Sequence, residues 1–103
     1  HTVVAVISEF GRTFRENGNK GTDHGHGTAY WFLGGGLSAQ AGGKVLGEQM
    51  DVTEKALFQN RDYPVLNEYR SVLGSLFGRM YGLSPAQLQQ VFPQAEPGKL
   101  QLV

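Results

Sequence analysis

The chain has 103 residues, a length suited to one modest domain. Nine basic residues balance nine acidic ones, so no global field draws it to nucleic acid or to an anionic membrane surface. It contains no cysteine, which excludes disulfides, thiolate metal sites and cysteine nucleophiles and leaves His, Asp and Glu as the available metal ligands.

No apolar run approaches the roughly 20 residues needed to span a bilayer. The chain opens at His1 rather than Met, which reads as a processed product or an excised piece and leaves room for a targeting signal upstream. The first element is "TVVAVIS", residues 2–8, a β-branched apolar run that predicts a strand buried on both faces. From Gly11 to Thr28 the sequence is polar and glycine-rich with no hydrophobic period, which predicts a long loop; connections of that length are more often functional than incidental. "AYWFLGGG" then predicts a second buried strand over about 28–33, with Tyr30, Trp31 and Phe32 read as core, and "KVLG" at 44–47 a short third. Residues 51–63 fit either a short helical turn or an irregular crossover.

The strongest periodicity follows. Leu66, Tyr69, Val72, Leu73, Leu76, Phe77 and Met80 recur at three- and four-residue steps, predicting a main helix over about 67–81 with Asn67 as its cap and Gly82 as its stop. Ser84, Pro85 and Gln87 carry a capping box with proline at the first helical position, predicting a short helix over 85–91 that Pro93 ends. The tail at 99–103 could add an edge strand. Together these elements predict a single α/β domain with one sheet of three to four strands.

Within the glycine-rich segment, "GTDHGHGT" places Asp23, His24 and His26 within four residues. Imidazole and carboxylate are the usual nitrogen and oxygen ligands of divalent metals, and flanking glycines permit tight backbone around them. The same residues also fit a turn capped by Asp23 with both imidazoles in solvent. Glu9 follows the first strand, where open α/β sheets gather reactive groups, although it could equally be a strand-end carboxylate paired with Arg12. Arg12 lies nearest the strand end among the loop cations and suits an oxyanion clamp.

"VVAVISEFGRTFRENGNKGTDHGHG", with "LGGG", "GKVLG", "NEYRSVLGSLFGRMYGL" and "VFP" after it, resembles the C-terminal part of the bacterial domain of unknown function 1501. That resemblance implies an alkaline phosphatase-like or sulfatase-like α/β sandwich, of which this chain is a part. It also implies twin-arginine export to the periplasm and a site for phosphate or sulfate ester hydrolysis with divalent metal, whether zinc, manganese or calcium. The superfamily's Asp-His-Gly element can be matched in two registers. Either Asp23 and His24 take it directly, or "ISEFG" takes it, with Glu9 for the aspartate, Phe10 for the histidine and His24 or His26 for the later histidine. The second keeps the strand order. It sets Glu9, Asp23, His24 and His26 as metal ligands, His24 ahead of His26, completed by the upstream N-terminal part of the same polypeptide. Because Phe10 cannot ligate a metal, a non-catalytic binding or scaffolding domain is the alternative. A cut sheet would also leave an edge through which copies could associate.

Overall fold

A computed structural model of the protein describes residues 1–96 and 98–103. These form a small mixed α/β structure with four short strands and two helices. The strands are β1 (Val4–Val6), β2 (Gly11–Arg12), β3 (His24–Gly25) and β4 (Trp31–Leu33), and the helices are α1 (Tyr69–Tyr81) and α2 (Pro85–Val91). The chain divides into two compact units, one of residues 4–33 and 48–66 and one of residues 1–3, 34–47 and 67–103.

The first unit holds all four strands, in two antiparallel sheets rather than the single sheet expected. β1 pairs with β4 in the register Val4↔Leu33, Ala5↔Phe32 and Val6↔Trp31, and β2 pairs with β3 through Gly11↔Gly25 and Arg12↔His24. The expected strands at 2–8 and 28–33 are thus present but trimmed to three residues each. Neither is buried on both faces. Val4, Ala5 and Val6 are all exposed, and Trp31, expected in the core, is 66% exposed. An apolar run signals capacity for burial, and a two-stranded ribbon supplies no second layer to realise it.

The expected loop from Gly11 to Thr28 is also not structureless, because β2 and β3 turn it into a hairpin. Residues 51–63 take the irregular option, with turns at 54–56 and 59–61 and bridges that tie Asp62 to Thr13 and Phe58.

The second unit holds both helices. Glu68 caps α1 in place of Asn67: its backbone is extended and its carboxylate accepts a hydrogen bond from the Ser71 backbone N–H at 3.2 Å. Gly82 closes the helix in the left-handed conformation at φ 63°, a geometry that glycine adopts at little cost. Ser84 and Gln87 form the reciprocal capping box that opens α2. The two helices pack through a glycine face of α1. A Cβ on Gly74 would meet the Phe92 ring at 3.7 Å, and one on Gly78 would meet Leu88 Cδ1 at 3.3 Å. Phe77 stacks on Phe92, and Leu76, 4% exposed, is the most buried apolar residue of α1.

No strand forms at 44–47. Left-handed glycines at Gly43 (φ 69°) and Gly47 (φ 91°) bracket the segment and bend it out of any ladder. The tail at 99–103 likewise lacks a strand and is tied by single contacts: the Leu102 carbonyl accepts from the Ser38 N–H at 2.8 Å, and the Val103 carbonyl from Arg79 Nε at 2.8 Å.

Candidate functional site

The β2–β3 hairpin is held from within by Thr13, which is buried. The Thr13 N–H donates to the Asp23 carbonyl at 3.0 Å, and its Oγ1 accepts from the Asp23 N–H at 3.1 Å. Asn17 organises the turn: its Oδ1 accepts from the N–H groups of Asn19 and Gly21, and its Nδ2 donates to Asp23 Oδ1 at 2.9 Å. Asp23 therefore faces its own turn, with one carboxylate oxygen already engaged.

Three further contacts dock the residues flanking the hairpin onto residues 61–63. The Phe14 N–H donates to the Arg61 carbonyl at 2.9 Å, Thr13 bridges Asp62, and the Gly27 N–H donates to the Tyr63 carbonyl at 2.8 Å. The segment that receives them is a tight reversal. Phe58 and Asp62 exchange two backbone hydrogen bonds, and Gln59 and Asn60 between them have φ of 54° and 55°. Consecutive left-handed residues are the sign pattern of a type I′ turn, in which asparagine is favoured. Gly27 must be glycine for the segments to meet, since a Cβ there would lie 2.5 Å from the carbonyl oxygens of both Tyr63 and Pro64.

This docking brings together His26 and Asp62, which are 36 residues apart. His26 Nδ1 lies 2.6 Å from Asp62 Oδ2, and Arg61 donates to both carboxylate oxygens, from Nε at 2.8 Å and from Nη2 at 3.2 Å. The Asp62 side chain is wholly buried, whereas that of His26 is 53% exposed. Hydrogen bonds from Arg61 first, and then from His26, outweigh burial and hold the Asp62 carboxyl below its ordinary pKa; the same pairing raises that of Arg61. The Phe58 ring meets the imidazole edge-on at 4.8 Å, an arrangement favoured between aromatic rings.

The remaining residues singled out from sequence are distributed differently. His24 stacks on Phe10 with ring centroids 3.9 Å apart. Arg12 does not pair with Glu9; its guanidinium is spent on Thr22, donating to Oγ1 at 2.9 Å and to the Thr22 carbonyl. Glu9 is exposed at a bend after β1. Among the described residues no three His, Cys, Asp or Glu side chains gather into a set that could hold a metal ion. Glu9, Asp23, His24 and His26 therefore do not make a complete site by themselves. Asp62, Arg61 and Phe58 carry no local sequence signal, because only the tertiary docking places them against His26.

The molecule is thus a small mixed α/β protein bearing a histidine backed by a buried carboxylate. The family described as "Protein of unknown function (DUF1501)" matches residues 1–92, and the chain belongs to it. No curated protein and no solved structure matches the chain. No helix among the described residues is long and apolar enough to cross a membrane.

Proposed function

We propose that the chain supplies part of the active site of an exported, alkaline phosphatase-like hydrolase of phosphate or sulfate esters, with His26 as its principal functional side chain. The supporting observation is that His26 is held through one ring nitrogen by the buried Asp62 while half of its side chain stays open to solvent. A carboxylate–imidazole pair of this form is the usual way in which proteins orient a histidine that ligates a metal or transfers a proton. His26 therefore takes precedence over His24, whose ring lies against Phe10.

The fit to a divalent cation is partial. His26 offers one imidazole donor, and both Asp62 oxygens are engaged by Arg61 and His26, so Asp62 is not itself a ligand. Zinc, manganese or calcium would need further donors from the upstream part of the polypeptide, with Glu9 and Asp23 as the carboxylates this chain can add. The sandwich fold, the periplasmic location and the ester substrate belong to the same proposal. The isolated chain is expected to be inactive.

The test uses the full-length protein, measuring bound metal and hydrolysis of p-nitrophenyl phosphate and p-nitrophenyl sulfate. His26→Ala should abolish hydrolysis and lower bound metal, while His24→Ala should largely spare both. Unchanged metal and turnover in His26→Ala would reject the reading. The stack of Phe10 on His24 favours a second reading, a non-catalytic binding domain. In that case wild-type protein would show neither metal nor turnover.

A further inference from the structure

We infer that Asp62, braced by Arg61, is a positioning residue that fixes His26 in the tautomer carrying hydrogen on Nδ1 and leaves Nε2 as the working nitrogen. The functional meaning of this inference rests on the hydrolase reading above; the tautomer itself does not.

An ionised carboxylate can only accept hydrogen bonds, and Arg61 donates to both oxygens of Asp62, which keeps it in that state. The 2.6 Å contact between His26 Nδ1 and Asp62 Oδ2 must then be a bond that Nδ1 donates. In neutral imidazole only one nitrogen carries hydrogen, so Nε2 is left with its lone pair free to ligate or to accept a proton. Asp62 is wholly buried, so water cannot easily replace the bond and release the ring.

Two other contacts limit how far the ring can move. Phe58 lies edge-on to it, and the adjacent Gly27 is pinned by its N–H to the Tyr63 carbonyl at 2.8 Å. The carboxylate, the ring and the backbone anchor all come from residues 58–63, so one short reversal sets both the position and the tautomer of the histidine. Arg61 acts one step further back, holding the carboxylate that holds the imidazole.

Long-range ¹H–¹⁵N correlation of the histidine rings tests this directly, on ¹⁵N-labelled protein at alkaline pH with His26 neutral. Wild-type protein should show His26 as the Nδ1–H form. In Asp62→Asn the amide can donate as well as accept, so that bias should be lost and a substantial Nε2–H population should appear. Asp62→Glu should restore it in part. His24, stacked on Phe10, serves as an internal reference whose ring signals should not change. In the full-length protein Asp62→Asn should lower kcat or metal affinity about 10- to 100-fold, the usual effect of removing such a partner. His26 found as Nε2–H in wild-type protein, or an unchanged tautomer in folded Asp62→Asn, would overturn the inference. If Asp62→Asn does not fold, the wild-type and Asp62→Glu spectra decide it. If the tautomer is as expected but His26→Ala leaves hydrolysis and bound metal untouched, the hydrolase reading fails while the positioning role stands.

Discussion

Phe10 lies flat on the imidazole of His24, with centroids 3.9 Å apart and planes 21° from parallel. The ring that cannot ligate a metal thus lies against one face of the histidine that the sequence motif set ahead of His26. Stacking of this kind is worth about 0.5–1.5 kcal/mol beyond the area it buries. His24→Ala should therefore destabilise the fold by about that amount in urea titration, while leaving the His26 ring signals in place. A loss of bound metal or turnover in His24→Ala as large as in His26→Ala would restore His24 to the leading role.

The Ser84 cap gives a second prediction, independent of the site. Ser84 Oγ accepts from the Gln87 N–H at 3.2 Å, and Gln87 Oε1 accepts from the Ser84 N–H at 2.8 Å. Ser84→Ala removes one of these bonds at the start of a seven-residue helix, at a cost of about 1 kcal/mol. Denaturant titration should show a lower midpoint with an unchanged slope. No change would mean that the packing of Leu88 and Phe92 on α1 holds α2 without its cap.

That helix was readable because its signals are local: a cap, a proline and a terminator within ten residues. α1 was readable from its period, but the cap is Glu68, one position on from Asn67, whose carboxylate accepts from the Ser71 N–H. β1 and β4 were readable as apolar runs, but their burial was not, since burial depends on which layers lie over them, and the short polar strands β2 and β3 carry no apolar pattern that could have marked them. The site divides in the same way. "GTDHGHGT" marked the segment, yet nothing near it in sequence indicates Asp62, and Arg61 and Asp62 sit in a stretch with no clear period. The choice between His24 and His26 depends on Phe10 and Asp62, two contacts that exist only after folding.

The Asp62 carboxyl supplies the pH dependence. Its pKa is lowered in the folded protein by Arg61 first and by His26 second. A group depressed on folding adds stability that is fully present above its unfolded value, about 3.9 for aspartate. That contribution fades as pH falls through the folded value. Wild-type protein should accordingly lose stability on acidification below about pH 4. Asp62→Asn should be less stable near neutrality and show a flatter acid limb. Thermal denaturation between neutral and acid pH measures the two slopes, and parallel curves would show that Asp62 is no better stabilised folded than unfolded.

Gly27 links the fold to the site most directly. An added Cβ would stand 2.5 Å from the carbonyl oxygens of both Tyr63 and Pro64, and these are backbone atoms with no flexible side chain to yield. Gly27→Ala must therefore push the His26 segment away from residues 62–64. Forcing a methyl group into a packed contact typically costs 1–3 kcal/mol, by the range seen for overpacked cores. The same displacement separates His26 Nδ1 from Asp62 Oδ2, so His26 should lose its tautomer bias although neither partner has been changed. Gly18→Ala is the control: a Cβ there meets nothing within 4 Å, and its effect should stay within about 0.5 kcal/mol. Denaturant titration and ring ¹⁵N spectra of the two variants separate the outcomes. A Gly27→Ala protein with wild-type stability and an unaltered His26 tautomer would show that the docking of Gly27 on Tyr63 does not place the histidine.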